Sequence, residues 1–285
     1  MIALENVLRC PLCHEKMERD EKSFFCLGPR RHCYDIAKGG YVNLLPPGKK
    51  SNAKTGDDKE MLRARRAFLS TGAYDKISEK AARVALDSLA PRDHLTFADA
   101  GCGDGYHALN IEKYYRNAGL SALAIGLEAS KSGAEMAAKK ARQEERQAFF
   151  AAANIFDMPL CDKSCDILFS MFAPVADAEA YRTLKDDGVL LVCSSGSHHL
   201  WEMREVLYGE PRLSPPLDRT PDGFELCKSE SLAYSFTLES RELIAALFTM
   251  TPFYWRSPKE GRERLLSLDS LTLRSETEYK VYKKK

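Results

Sequence analysis

The first 33 residues hold four of the chain's nine cysteines, at a spacing that binds metal. Cys10 and Cys13 form a C-P-L-C knuckle, and Cys26 follows after a further dozen residues. Such a turn sets two thiolates on one side of the chain, and a second group a dozen residues later closes a tetrahedron around one zinc ion. In the second segment, CLGPRRHC, His32 and Cys33 are adjacent, and both are candidates for the fourth ligand. The intervening HEKMERDEKSFF is too short and too polar to build its own core, so a metal takes the place of one. An odd cysteine count with no export signal argues against a disulfide framework. A redox C-x-x-C would want a βαβ context, which is absent here. Cys102, Cys161, Cys165, Cys193 and Cys227 are spread over the rest of the chain and read mostly as small core hydrophobes.

A second group of residues could hold a nucleoside. The segment FADAGCGDGY (Phe97 to Tyr106) follows a strand pattern and precedes a helical one, with glycines at Gly101, Gly103 and Gly105 and an acid, Asp99, two residues before the first. Glycines there let the backbone approach a ligand and leave a helix N-terminus facing it. Glu128 ends the next strand, where a carboxylate can take both ribose hydroxyls. A dinucleotide site would want G-x-G-x-x-G; here the glycines alternate.

These residues need a scaffold. From about residue 95 the pattern alternates strand and helix: LTFADA, ALNIEKYYRNAG, SALAIGLEAS, KSGAEMAAKKARQEE, RQAFFAAAN, CDILFSMF, AEAYRTLKDDG, VLLVCSSG. Units of this length predict an α/β fold with a parallel sheet covered on both faces. The Pro-rich EPRLSPPLDRTPDGFEL reads as an irregular insertion, LAYSFTL and TEYKVYKKK as late strands, and ESRELIAALFTM as a helix between them. Upstream, residues 1–45 read as a small metal module of short strands, 46–65 as a basic linker, and 66–285 as the main domain.

Composition bounds the partners. Lys+Arg is 42 and Asp+Glu is 41, so a globally basic nucleic-acid coat is excluded, while a local patch is not. Residues 49–66 supply such a patch, and Arg63, Arg65 and Arg66 are its candidate phosphate contacts. Lys280 and Lys283 to Lys285 form a second basic cluster. No apolar run reaches the roughly 18 residues of a membrane span, and the expected compartment is the cytoplasm.

The alternating glycine loop resembles motif I of the S-adenosylmethionine-dependent methyltransferases. Asn154, in ANIFDMPL, resembles the position that contacts the adenine amino group in that superfamily. CPLC, HCYDIAKGGYVNLLP, RARRAFLSTGAY, DAGCGDGY, the stretch from MFAPVADAEAYRTL to HHLWEMREVLY, and MTPFYWR together resemble the bacterial 23S rRNA (guanine-N1)-methyltransferases of the RlmA/RrmA type, over nearly the whole chain. The resemblance implies a Rossmann-like class I methyltransferase sheet with an N-terminal zinc-binding β module that recognises RNA. It implies zinc ligands at Cys10, Cys13, Cys26 and His32, with Cys33 the competitor of His32. It implies cofactor contacts from Tyr74, the glycine loop through Asp104, Glu128 and His199. The implied partners are a 23S rRNA hairpin and a second copy of the chain.

Guanine N1 carries a proton at neutral pH, so methylation there needs that proton removed or delocalised, and Asp104, His198, His199 and solvent are the candidates for taking it. The base must also leave its stack. Phe172, Trp201, Tyr254 and Trp255 are aromatic candidates for gripping it. The segment SMFAP (Ser170 to Pro174) lacks the amine-methylating quartet, which suits a ring nitrogen. Two other readings compete: a small-molecule methyltransferase whose zinc module binds a protein, and a non-catalytic RNA-binding protein.

Overall fold

A computed structural model describes residues 4–46, 59–213 and 218–285. The N-terminal part contributes β1 (Met17–Arg19), β2 (Ser23–Cys26), β3 (Cys33–Asp35) and β4 (Val42–Asn43). Two helices follow, α1 (Lys59–Leu69) and α2 (Asp75–Leu86). The alternating region is β5 (His94–Ala100), α3 (Tyr106–Asn117), β6 (Ser121–Glu128), α4 (Lys131–Gln143), β7 (Ala148–Ala152), β8 (Cys165–Met171), α5 (Asp177–Thr183) and β9 (Leu184–Ser195). The chain ends with α6 (Trp201–Tyr208), β10 (Phe224–Leu238), α7 (Arg241–Thr249), α8 (Phe253–Arg256), α9 (Lys259–Leu266) and β11 (Leu271–Lys284).

β1, β2 and β3 form a small antiparallel sheet, and the remaining strands form an eight-stranded one in the order β10-β11-β9-β8-β5-β6-β7-β4. From β4 to β9 the pairing is parallel; β11 runs antiparallel to β9, and β10 to β11. β8 is buried at every position, as a central parallel strand with helices on both faces must be. α4 packs against β6 and β7 through Gly133, Ala134, Ala137, Ala138 and Ala141, small residues that let helix and sheet approach closely. The strand order reverses at β5. The chain steps outward to β6 and β7 on one side and to β8 and β9 on the other, which opens a crevice beyond the C-terminal ends of β5 and β8.

Three expectations shift. The stretch 34–45 folds back through an antiparallel bridge between Ile36 and Val42, but it does not stay within the small module: β4 joins the edge of the large sheet, with Val42 opposite Ala151. The reason is burial, because Val42 and Leu44 lose all but a trace of their exposure against that edge. Val7, Leu8, Met17 and Phe24 likewise belong to the same buried cluster as Ile125, Leu127 and Phe149, so residues 4–46 share a core with the main sheet. Helix α1 begins at Lys59, inside the stretch read as linker, while 47–58 lie outside the described residues. Finally, β10 and β11 are longer than the patterns LAYSFTL and TEYKVYKKK: β10 already starts at Phe224, and the two strands pair along nearly their whole length.

Candidate cofactor and metal sites

The glycine loop leaves β5 at the crevice. Gly101, Gly103 and Gly105 all have positive φ (85°, 57° and 78°), a region open to glycine at little cost. Gly105 caps α3, and a Cβ there would lie 2.7 Å from the Ala137 Cβ. At Gly101 a Cβ would come within 2.9 Å of Ala173, so its absence lets the segment after β8 approach the loop. Gly103 faces open space, bounded by the Arg65 guanidinium at 3.8 Å from where its Cβ would stand.

Glu128 ties the loop down. Its Oε2 accepts the Gly103 N–H at 2.9 Å and its Oε1 accepts the Ser130 N–H at 2.8 Å. A carboxylate offers only acceptors, which is the chemistry that a ribose hydroxyl needs. Asn154 stands at the neighbouring strand end: Glu128 pairs with Ala152, and the Ala153 N–H donates to the Glu128 carbonyl at 2.9 Å. The loop geometry thus brings Asp99, Gly101, Gly103, Asp104, Gly105, Glu128 and Asn154 to one end of the sheet.

Asp99 is buried, and neither carboxylate oxygen has a hydrogen-bond partner among the described residues. Burial first, and the charge of Glu128 second, push its carboxyl up to about 7. An orphaned acid beside an open glycine loop suits a cationic ligand such as the sulfonium cofactor, so the residues present fit that group. Between pH 4 and 7 the folded chain holds a proton at Asp99 that the unfolded chain has released. This group's contribution to stability therefore falls as pH rises through that window. Asp99→Asn removes the titration. Relative to the variant, the wild type is expected to lose about 1 kcal/mol per pH unit between pH 5 and 7. Chemical denaturation at both pH values measures this, and parallel stability profiles would rule out a raised carboxyl pKa at Asp99. Asp104 is also buried, its carboxyl pushed up by desolvation and held back by the charges of Arg65 and Lys140.

An aromatic cluster stands at the same end of the sheet. Tyr74, at the N-terminus of α2, places its Oη 3.1 Å from His199 Nε2. On the other side of that ring, Nδ1 accepts the Glu276 N–H at 3.1 Å. A nitrogen that accepts an amide N–H carries no proton, so the neutral ring is protonated at Nε2 and donates to Tyr74. Desolvation lowers the His199 pKa to about 4, which keeps the ring neutral at physiological pH. Both nitrogens are thereby committed, and His199 has no lone pair left to take a proton. Phe172 follows β8 with φ at 55°, a left-handed conformation that costs a bulky residue about 1 kcal/mol or more. The Phe172 N–H donates to the Cys193 carbonyl at 2.9 Å, which holds it there. Its ring is 41% exposed and lies between His107 and His199, with centroids 5.9 and 6.1 Å away. His107 was not among the residues singled out from sequence. Its place in the first turn after the glycine loop was the available signal. Ser78 Oγ lies 2.8 Å from its Nδ1, and burial pulls its pKa down to about 3.

The other expected contacts fall elsewhere. Trp201 donates its indole N–H to Glu205 on the same helix. Tyr254 packs on Phe248, and Trp255 is 65% exposed on α8. His198 is exposed, 3.8 Å from Glu276. Arg63 and Arg66 point outward on α1, whereas Arg65 is half-buried and turned towards Gly103 and Asp104.

The metal candidates converge. The ligand atoms of Cys10, Cys13, Cys26 and His32 all lie within 4.8 Å of one another. His32 Nδ1 is 3.5 Å from each of the three sulfurs, and Cys13 Sγ is 3.6 Å from Cys26 Sγ. A tetrahedron around zinc puts such atoms about 3.5–3.8 Å apart, given Zn–S and Zn–N distances near 2.3 and 2.0 Å. The donor set and spacing fit zinc. Backbone N–H groups of Leu12 and His32 point at the Cys10 and Cys26 sulfurs, which favours thiolates. Cys33 is exposed on β3, paired opposite Phe25 and outside the cluster.

Comparison with known proteins agrees with this geometry. The family model described as "RlmA, N-terminal" matches residues 8–53, and the one described as "Methyltransferase domain" matches residues 97–188. The chain is 30% identical over 272 residues to the putative 23S rRNA (guanine-N(1)-)-methyltransferase YxjB of Bacillus subtilis, covering 93% of both chains. It is 28% identical over 273 residues to the 23S rRNA (guanine(748)-N(1))-methyltransferase of Streptomyces fradiae, covering 93% of this chain and 91% of that one. A putative 23S rRNA (guanine-N(1)-)-methyltransferase of Micromonospora griseorubida is 30% identical, with 88% and 87% covered.

Proposed function

The chain belongs to the 23S rRNA (guanine-N1)-methyltransferase family, and on that premise we propose that it transfers a methyl group from S-adenosylmethionine to N1 of a guanine in 23S rRNA. The observation that carries the reading is the junction of a glycine loop pinned by Glu128 with a partly exposed aromatic ring, Phe172, at one crevice. The cofactor, when bound, supplies an electrophilic methyl group on a sulfonium. Glu128 takes the ribose, Asn154 the adenine edge, and Asp99 with the loop from Gly101 to Gly105 the remainder, while Tyr74 and His199 wall the pocket.

Phe172, flanked by the His107 and His199 rings, is the platform on which a flipped guanine stacks, an interaction worth roughly 1–3 kcal/mol. Holding the base there sets its N1 in line for transfer. Because both His199 nitrogens are engaged, the N1 proton goes to Asp104 or to water. Cys10, Cys13, Cys26 and His32 hold a structural zinc, a closed ligand set with no open position for a substrate. The reading carries with it residues 1–45 as an RNA-recognising module joined by 46–65 to the methyltransferase domain 66–285, an rRNA hairpin as substrate, a homodimer, and a cytoplasmic setting.

Labelled S-adenosylmethionine and 23S rRNA from a strain lacking the modification provide the test, with nucleosides identified by mass spectrometry. Labelled 1-methylguanosine is the expected product; a labelled metabolite with unlabelled rRNA would favour the small-molecule reading. Arg63 and Arg66 are proposed to touch phosphate, with Arg65 turned inward. Replacing both outward residues by alanine is expected to lower the slope of log affinity for RNA against log salt by about 2. Cofactor affinity should not change; an unaltered salt slope would remove both residues from the RNA interface.

A further inference from the structure

The adenine-side segment does not stand on the methyltransferase sheet alone. Beyond Ala152 the chain runs through Asn154 to Cys161, and residues near the metal cluster hold both ends of that run. At one end β4 pairs with β7, and the Leu44 N–H donates to the Ala152 carbonyl at 2.8 Å. At the other end Leu8 bridges Leu160, the Arg9 N–H donates to the Pro159 carbonyl at 3.1 Å, and the Cys161 N–H donates to the Val7 carbonyl at 2.7 Å. Between them Arg9, whose side chain is only 12% exposed, donates from Nε to the Met158 carbonyl at 3.2 Å. Its terminal nitrogens lie 3.5 Å from Asp157, 3.7 Å from Glu179 and 3.9 Å from Asp162. Arg182, from α5, grips the same loop through the Met158 and Leu160 carbonyls at 3.0 and 2.6 Å. Asn154 is the first residue of that loop, and its own carbonyl accepts the Asp157 N–H at 3.2 Å.

We propose that the N-terminal metal module braces the cofactor site, with Arg9 as the positioning residue that sets the Asn154–Leu160 segment against the adenine ring. The inference rests on the cofactor reading given above. Arg9 precedes the metal ligand Cys10, so the ion that fixes Cys10 also fixes the backbone that carries this guanidinium. The module then has a role inside the methyltransferase centre in addition to any contact with RNA. A guanidinium suits that role because its planar fork reaches a carbonyl and three carboxylates together, which a lysine ammonium cannot reproduce.

The test measures calorimetric affinities of the full-length, zinc-loaded protein for S-adenosylhomocysteine and for its hypoxanthine counterpart, S-inosylhomocysteine. Wild type should prefer adenine. Arg9→Met should weaken S-adenosylhomocysteine by about tenfold and compress the preference for adenine, at unchanged zinc content per chain. Arg9→Lys should fall between the two, and Asp157→Asn, which removes one partner of Arg9 from a half-exposed position, should move the ratio in the same direction. Arg9→Met binding both ligands as wild type does, or losing both equally with the ratio intact, overturns the inference and leaves the cofactor reading standing. Wild type that binds neither ligand overturns both.

Discussion

Glu128→Ala is expected to weaken S-adenosylmethionine binding by about 100-fold, because the carboxylate has two tasks at once. It is the proposed ribose acceptor, and it also accepts the N–H groups of Gly103 and Ser130. A charge-assisted hydrogen bond is worth about 1.5–3 kcal/mol, and the variant leaves two backbone donors without their acceptor. The loop would keep its other anchors, the Gly101 and Cys102 N–H bonds to the Leu127 carbonyl at 2.8 and 3.1 Å, so the strand ends should stay in register. Glu128→Gln keeps one carbonyl acceptor and should lose less. Titration with S-adenosylhomocysteine and with a labelled RNA hairpin separates the roles. Loss of cofactor binding with RNA affinity nearly intact is expected; equal loss of both would remove Glu128 from the ribose.

Removing zinc should destabilise the whole chain. Small zinc modules draw about 10 kcal/mol or more of folding free energy from the ion. Here the proposed metal ligands Cys10 and Cys26 lie in one buried cluster with Ile125, Leu127 and Phe149 of the main sheet, so the loss does not stay local. A strong chelator, or Cys26→Ser, is expected to lower the melting temperature on the order of 10 °C. Unfolding should remain a single calorimetric transition, and cofactor affinity should fall with it. Two transitions, with the larger one unmoved by chelation, would show the module to be energetically separate. Cys33→Ser, which leaves the cluster untouched, should keep full zinc stoichiometry, whereas His32→Ala should not.

The elements around the cofactor loop were legible because their signals are local. A buried parallel strand shows as a continuous apolar run, as in ILF (167–169) and VLLVC (189–193), and the glycines after β5 mark where the backbone must take positive φ. The cysteine spacing told of a metal site for the same reason, since a knuckle is made within four residues. The choice between His32 and Cys33 was left open by spacing, because adjacent residues on an extended chain point to opposite sides. Only the pairing of β3 with β2 decides which one faces inward. Arg65 carries the opposite lesson. In sequence it stands in a basic run with Arg63 and Arg66, but the helical turn points it towards Gly103 and its neighbours towards solvent.

By itself, the sequence determined that this chain carries a metal knuckle, an alternating α/β domain and a nucleoside loop in that order, since each is written in a short stretch of residues. The tertiary structure alone decided that these parts are one body. Val42 opposite Ala151 and Arg9 against Met158 join residues more than a hundred positions apart, and neither partner carries any local mark of the other. What selects such contacts is the burial of apolar edges and the satisfaction of loop carbonyls once the sheet has formed, and those requirements exist only in the folded molecule.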